Sequence, residues 1–289
     1  MDVQGLVPAD LLARCSFPAP GTEVACAVSG GADSLALLVL AVAAGCRVTA
    51  VHVDHGLRPG SASEADVVAA AADRFGAAFR SERVVVGPGP NLEARARAAR
   101  YGALPPGVLT GHTADDQAET VLLNLMRGAG LDGLAGMAPS RHPLLGVRRR
   151  ETRDLCRSVG LVPVEDPSND DPRHRRNRVR AELLPLLESI AERDVVPVLV
   201  RQASVLRDEA AFLGSLAAEL DPTDAVALAE APPALARRAV RRWLGGEHPV
   251  DLATVERVLA VARGEAQATD VGGGRRARRS RQRLHVERD

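Results

Sequence analysis

Four side chains able to bind a cation or move a proton lie within residues 112–119. They are one imidazole and three carboxylates: His112, Asp115, Asp116 and Glu119. Thr113 is typical of a helix N-cap, so the acids would occupy the first turns of a helix, with Asp116 and Glu119 facing the same way. Acids are common there as partners of the helix dipole, but this cluster exceeds what capping needs. It predicts a site for a metal ion or an amine substrate, and a group that accepts the amine's proton.

A second stretch with chemical potential is Ser29-Gly30-Gly31-Ala32-Asp33-Ser34, which follows the apolar residues 24–28. Its glycines lack Cβ atoms, so the turn can present backbone N–H groups to a ligand at the start of a helix. A plain turn with Asp33 or Ser34 as N-cap is the simpler interpretation. Serines at both ends and the internal Asp33 favour a phosphate site. The stretch matches neither a Walker loop nor the dinucleotide-binding fingerprint.

Apolar runs that alternate with helical patterns predict a sheet that positions both stretches. The predicted strands are Val24–Val28, Arg47–Val53, Phe79–Val86 and Val108–Gly111. The predicted helices cover 33–44, Ser63–Phe75, the segments after Asn91 and Thr113, Glu151–Gly160, Asn177–Ile190 and Val195–Leu220. We expect an α/β fold, a Rossmann-like parallel sheet with helices on both faces. Both chemical stretches would then lie at its carboxyl edge, where such folds bind ligands.

The C-terminal part is expected to form a smaller, mostly helical domain. The predicted division is a catalytic domain at 1–190, a connecting helix at 191–211 and a C-terminal domain at 212–289. Its predicted elements are a strand at Ala225–Leu228, helices at Pro233–Leu244 and Leu252–Ala262, and a hairpin of Gln267–Val271 with Arg275–Val286 across Gly272–Gly274.

Charge is balanced overall but unevenly distributed. The formal net charge is zero, and all 37 basic residues are arginines. They cluster at Arg173, Arg175, Arg176, Arg178 and Arg180, and at Arg275, Arg276, Arg278, Arg279, Arg281 and Arg283. Arginine forks bind phosphate, so such clusters predict an RNA partner. An arginine-rich codon bias explains the missing lysines but explains the clustering less well.

Other classes of protein are disfavoured by composition. Aromatic residues make up only 2% of the chain, which argues against a base-stacking platform. The four cysteines form no Cys-x-x-Cys pair. No apolar stretch reaches the length of a membrane span and no signal peptide is visible, so we expect a soluble, cytoplasmic protein without a membrane partner.

The motifs together resemble a known family. The Ser29–Ser34 stretch is similar to the pyrophosphate loop of the PP-loop ATPases, or N-type ATP pyrophosphatases. Across about residues 24–190, further motifs resemble, in order, those of the tRNA(Ile)-lysidine synthase family. They are Val53–Arg58, Asn91–Arg97 with Arg100-Tyr101, His112–Thr120, Arg127–Met137, Val164–Asn169 and Arg176–Arg180. Residues from about 212 resemble the family's first C-terminal domain loosely, and no counterpart of the second C-terminal domain of longer members is expected.

The resemblance implies an ATP-dependent tRNA-modifying ligase with a PP-loop fold. The enzyme would adenylate the C2 carbonyl oxygen of the wobble cytidine in the CAU-anticodon isoleucine tRNA. The ε-amine of L-lysine would then attack C2, releasing AMP and giving lysidine. ATP and Mg²⁺ are the implied cofactors, and a homodimer is one expected state of assembly.

The resemblance also implies roles for individual residues. Ser29, Gly30, Gly31, Ala32, Asp33 and Ser34 would hold the phosphates, with Asp33 positioning Mg²⁺. Asp116 and Glu119 would bind the lysine substrate. His112 and Arg97 would stabilise the adenylation transition state, and Arg178 would neutralise phosphate charge.

Three rival functions stay open at this point. A PP-loop tRNA thiolase would need a cysteine pair or an iron–sulfur cluster, which the cysteine spacing does not supply. A small-molecule synthetase would need an ammonia source and would leave the arginine clusters idle. A non-catalytic RNA-binding protein would be expected to have lost the carboxylates or the loop, and both are intact.

Overall fold

The computed structural model describes residues 3–54, 61–84, 87, 92–165, 171–245 and 250–288. The chain divides into two compact units, Met1–Val205 and Leu206–Asp289. No helix in the described part is both long and apolar enough to cross a membrane.

The first unit is built on a four-stranded sheet in the order β3-β2-β1-β4. Its strands are β1 (Glu23–Ala27), β2 (Arg47–Asp54), β3 (Ala78–Arg83) and β4 (Leu109–Thr110). All three strand pairings are parallel. The predicted α/β fold with a parallel sheet is confirmed. In such a sheet the carboxyl ends of neighbouring strands meet at one edge.

The helices of this unit connect and cover the strands. They are α1 (Ala9–Ala13), α2 (Ala32–Ala43), α3 (Ser61–Arg74), α4 (Leu92–Ala103), α5 (Ala114–Met126), α6 (Leu131–Leu134), α7 (Arg149–Ser158), α8 (Arg175–Arg178) and α9 (Leu184–Ala191), with α10 (Val196–Ala218) crossing the boundary between the units. The centre of the core is α2, in which residues 35–41 are all inaccessible to solvent. An apolar helix buried on every side holds the turn at its N-terminus in a fixed place.

A single wide turn, Val179–Leu183, joins α8 to α9 in π geometry. Pro185 lies in the first turn of α9 and has no N–H to donate. The missing hydrogen bond accounts for the local widening of the helix. The predicted helix at 177–190 is therefore present, with an irregular turn inside it.

In its described residues the second unit combines the end of α10 and three further helices with a small sheet. These elements are α11 (Ala225–Glu230), α12 (Pro233–Leu244), α13 (Leu252–Arg263), β5 (Ala268–Asp270), β6 (Arg275–Ser280) and β7 (Arg283–Arg288). The three strands pair antiparallel in the order β5-β6-β7. Leu228, Val240, Val258 and Leu284 lie in the core of this unit.

Two of the predictions for this unit are wrong. Ala225–Leu228 is helical, because the Asp224 carboxylate accepts hydrogen bonds from the N–H groups of Val226 and Ala227 and so caps a helix. The predicted strand Arg275–Val286 is two strands, which reverse at Arg281 and Gln282 with φ of 47° and 63°. The pairing of 268–270 with β6 across the glycines is as predicted.

Candidate functional site

The turn after β1 has the geometry of an anion-binding loop. Gly30 adopts φ of 90°, and Gly31 is the N-cap of α2 without a side chain to cap it. The hydroxyl of Ser34 accepts a hydrogen bond from Ser29 N at 3.1 Å and donates one to the Gly31 carbonyl at 2.8 Å. The side chain of Ser34 therefore fixes the loop. The uncapped helix start leaves its first N–H groups available to an oxyanion.

The end of β4 lies directly against this loop. A Cβ atom on Gly111 would stand 2.5 Å from the carbonyl oxygen of Asp33 and 3.0 Å from Ser34 N. Only glycine allows that approach, since real Cβ contacts are not that short. Residues that follow β4 are thereby brought next to the first turn of α2.

The acids after β4 divide into two kinds. Thr113 is the N-cap of α5, and Asp116 Oδ2 accepts hydrogen bonds from its N–H and its hydroxyl, both at 2.9 Å. Asp115 points elsewhere: its carboxylate binds Arg148 Nη2 at 3.1 Å and Arg149 N at 2.8 Å, which fixes the start of α7. Asp115 is thus occupied by fold contacts, whereas Asp116 and Glu119 face inward.

Asp33, Asp116 and Glu119 converge on one guanidinium, that of Arg149. Its nitrogens lie 3.5 Å from Asp33 Oδ2, 2.8 Å from Asp116 Oδ1 and 3.2 Å from Glu119 Oε1. The Arg149 side chain is 16% exposed. Sequence reasoning missed this residue because it is one of three consecutive arginines, 148–150, and nothing local says which one turns inward.

Glu119 has further cationic partners. It is completely buried, and Arg180 binds it through two nitrogens at 2.7 and 3.3 Å. Arg176 Nε lies 3.1 Å from Glu119 Oε2, an ion pair without hydrogen-bond geometry. Three arginines therefore balance the charge of Asp33, Asp116 and Glu119, as buried charges require.

These contacts set the ionisation of the carboxylates. Burial would raise the pKa of Asp116, but Arg149 and the Thr113 N–H outweigh it and hold that pKa below its usual 3.8. At Asp33 burial prevails and raises the pKa, although hydrogen bonds from Thr152 and Arg149 oppose it. Desolvation is the larger effect on Asp33 because its charge partners are fewer.

His112 lies at the same edge of the sheet. Its Nδ1 atom is 2.7 Å from the hydroxyl of Thr110, the last residue of β4. The ring of His142 packs against it edge to face, with centroids 4.8 Å apart. His112 and Asp116 are close enough that a protonated His112 ring would lower the pKa of Asp116. The structure thus brings His112, Asp33, Asp116 and Glu119 to the edge that carries the loop.

One predicted site residue stands apart from this group, and another lies outside the described residues. Arg178 is 61% exposed and pairs with Glu182 through two contacts of 2.8 Å. Its neighbours Arg176 and Arg180 are the members of that cluster that reach the carboxylates. The side chain of Arg97, on α4, lies outside the described residues, as do residues 55–58 and 166–169 of two motifs.

The donor set suits nucleotide phosphates better than an all-protein metal cage. The described residues contain no cluster of three or more side chains able to hold a metal. Asp33 offers one carboxylate next to the loop at 29–34. Mg²⁺ is commonly bound in this way, by one or two carboxylates together with substrate phosphates and water. The residues present therefore fit Mg²⁺ that arrives with ATP.

Comparison with known proteins gives a matching family model for each of the two units. A family model described as the PP-loop domain matches residues 10–187, and one described as the TilS substrate binding domain matches residues 224–285. A tRNA(Ile)-lysidine synthase of Nocardia farcinica is 47% identical over 282 residues, covering 89% of this chain and 88% of that protein. One from Rhodococcus opacus is 44% identical over 295 residues, covering 93% and 90%.

Among solved structures, the U34-tRNA thiolase NcsA from Methanococcus maripaludis, determined with its 4Fe–4S cluster, superposes with a TM-score of 0.52. It is 19% identical, and the match covers 71% of this chain and 77% of that one. At this identity the likeness shows a common fold and nothing about the reaction.

Proposed function

Because the chain belongs to the tRNA(Ile)-lysidine synthase family, we propose that the site at the sheet edge carries out ATP-dependent lysidine formation on tRNA(Ile). The enzyme is a ligase that uses ATP. The observation that carries the assignment of its site is the position of Arg149, whose guanidinium lies between Asp116 Oδ1 and Glu119 Oε1. A cation of the protein already sits between these two carboxylates, so the same pair suits the ε-ammonium of a lysine substrate.

The first step in this proposal is adenylation. The C2 carbonyl oxygen of the wobble cytidine attacks the α-phosphorus of ATP, and pyrophosphate leaves. The loop at 29–34 and the uncapped start of α2 bind the phosphates, and Asp33 would hold Mg²⁺, which supplies positive charge to them. His112 and Arg97 are assigned to the charge that develops on the α-phosphate.

The second step joins lysine to the activated base. The ε-amine attacks C2, the C2–O bond breaks, and AMP leaves with the oxygen. An ammonium cannot attack, so the amine must lose a proton first. We assign that proton to the carboxylate of Asp116, which is ionised. Lysine enters by exchanging its ammonium for part of the contact that Arg149 makes with Asp116 and Glu119.

A labelled-lysine assay tests the proposal. Purified chain, ATP, Mg²⁺ and a CAU-anticodon tRNA(Ile) transcript should release pyrophosphate in a tRNA-dependent manner and incorporate labelled lysine. A methionine tRNA with the same anticodon is the matched control and should stay unlabelled. Absence of lysine in tRNA(Ile), with incorporation of labelled sulfur instead, would replace this proposal with a thiolase.

The properties of the four cysteines argue against a thiolase. All four are free, and burial raises the pKa of Cys15 and Cys26 to about 12 and that of Cys156 to about 11. A thiol with such a pKa is not a thiolate at neutral pH, whereas sulfur transfer needs a reactive thiolate. The chain's own cysteines are therefore suited to packing.

We propose that tRNA contacts the second unit through the outer face of its sheet. Arg276 and Arg278 are exposed there, while Ala277 between them is buried. Arg276 pairs across the sheet with Asp270 and Glu287, but Arg278 has Ala268 and His285 as neighbours. On this face Arg278 therefore has no acid opposite it on either neighbouring strand, and Arg281 is exposed in the turn that follows.

Replacing both Arg278 and Arg281 with glutamine is expected to weaken tRNA binding and to reduce its salt dependence. The slope of log K against log salt is negative, and each lost phosphate contact makes it less steep by roughly 0.7–0.9. The slope of the double variant should therefore be less steep by about 1 to 2. Binding is measured by salt titration with labelled tRNA. The matched control removes Arg237 and Arg263, which already pair with Glu256 and Glu265. Equal losses in both double variants would refute the assignment of this face.

A further inference from the structure

His142 has no part in the chemistry described above, yet it is tied to His112 through a shared hydroxyl. Thr110 Oγ1 lies 2.6 Å from His142 Nδ1 and 2.7 Å from His112 Nδ1. The two rings stand at 88° to each other. Three groups from two parts of the chain therefore form one hydrogen-bonded chain.

The shared hydroxyl couples the proton positions of the two rings. A threonine hydroxyl has one proton, so it can donate to one Nδ1 atom and must accept from the other. If the hydroxyl donates to His112, His142 must carry its proton on Nδ1. A proton on the Nδ1 atom of one imidazole thus requires an unprotonated Nδ1 atom on the other.

The coupling is held by a rigid backbone. Thr110 N donates to the Arg141 carbonyl at 3.0 Å, and Ala114 N donates to the Val147 carbonyl at 2.8 Å. His142 N donates to the Pro139 carbonyl at 3.1 Å. The segment at 139–147 is therefore fastened to both sides of His112. Thr110 is only 7% exposed, which limits competition from water.

The surroundings of His142 keep its ring neutral. Burial lowers the pKa of His142 to about 4, and the Arg141 guanidinium acts in the same direction, as would a proton on His112, while Asp116 opposes them. At neutral pH His142 therefore has one ring proton, which is the condition for a defined tautomer.

We propose that His142 is a positioning residue that sets the tautomer of His112 through Thr110. His142 Nδ1–H donates to Thr110 Oγ1, and the Thr110 hydroxyl donates to His112 Nδ1. His112 then carries its proton on Nε2, which makes that atom a hydrogen-bond donor. The consequence for catalysis rests on the function proposed above, in which His112 stabilises negative charge on the nucleotide.

Nitrogen-15 NMR of the histidine rings tests the arrangement without any assay of activity. With the signals assigned by single His→Asn substitutions, the nucleotide-free protein should show His142 protonated on Nδ1 and His112 on Nε2. Thr110→Val removes the hydroxyl at similar volume and should abolish this pairing, whereas Thr110→Ser should keep it. The reverse pairing in the wild type, or an unchanged pairing in Thr110→Val, would overturn the proposal.

Activity supplies the second readout. Thr110→Val should lower the maximal rate of tRNA-dependent pyrophosphate release by about 10-fold, the usual order for loss of a partner that orients an imidazole, with little change in the KM for ATP. His142→Phe, which keeps an aromatic ring, should lower it in the same way, and Thr110→Ser should restore the rate. Equal losses in the Ser and Val variants would overturn the positioning role. If the wild type itself released no pyrophosphate, the proposed function would fail while the NMR result would stand.

Discussion

Replacing Arg149 with methionine is expected to lower the free energy of unfolding by about 3–5 kcal/mol near neutral pH. The reason is that Asp33, Asp116 and Glu119 all face this guanidinium, and Glu119 is fully buried. Methionine fills much of the same space without charge, so three buried carboxylates would confront one another with only Arg176 and Arg180 as compensation. Chemical denaturation of both proteins measures the difference.

The size of this effect should depend on pH in a defined direction. In the wild type the folded-state pKa of Asp116 lies below 3.8, so its contribution to stability is present above pH 3.8 and is lost as the pH falls through the folded-state value. In Arg149→Met, burial and mutual repulsion are expected to raise the pKa values of Asp33 and Asp116 above those of the unfolded chain. The variant is therefore stabilised as the pH falls. The gap between the two proteins should narrow between about pH 7 and pH 5.

Arg150→Met is the matched control, because it removes the same charge one residue away at an exposed position. Its stability should change by no more than about 0.5 kcal/mol, as is usual for surface positions. If both variants lost equal stability, or if the Arg149→Met gap widened on acidification, Arg149 would not be the cation that balances these carboxylates.

The sheet and the turn between β1 and α2 were predictable because they depend on local patterns. Buried parallel strands read as continuous apolar runs, and adjacent glycines after such a run favour a turn with positive φ, which Gly30 adopts. The N-cap at Thr113 is likewise predictable from the neighbouring residues, and in the structure α5 begins at Ala114. Local sequence patterns were therefore enough to predict the carboxyl edge of the sheet and the face of α5 that carries Asp116 and Glu119.

Other features depend on contacts distant in sequence. Arg149 lies at the start of α7, and Asp115, 34 positions earlier, fixes that start by accepting a hydrogen bond from the Arg149 N–H. Arg176 and Arg180, rather than Arg178, reach Glu119 because the helix that carries them packs against α5. Nothing in a run of arginines encodes either choice. The turn at Arg281 and Gln282 was missed for a related reason, since neither residue is a usual carrier of positive φ.

Asp116→Asn is expected to separate the two half-reactions. Incorporation of labelled lysine should fall by at least about 100-fold, because asparagine neither attracts an ammonium nor accepts its proton. Pyrophosphate release that depends on tRNA should stay detectable, because in the proposed mechanism adenylation relies on the loop at 29–34 and His112. The fold should survive, since the amide oxygen of asparagine can still accept the hydrogen bonds that Thr113 donates to Asp116 Oδ2.

The control for this experiment is Asp154→Asn, which removes a carboxylate that is 60% exposed and pairs with Arg157 on the surface of α7. It should leave both half-reactions unchanged. Equal loss of adenylation and lysine transfer in Asp116→Asn would mean that the carboxylate serves a step common to both. In that case the contact of Asp116 with Arg149 would be the most direct reason, because the same guanidinium also faces Asp33 beside the loop at 29–34. An unchanged KM for ATP in Asp116→Asn would exclude this reason. Loss of lysine transfer with adenylation retained is the other outcome, and it would assign Asp116 to the amine.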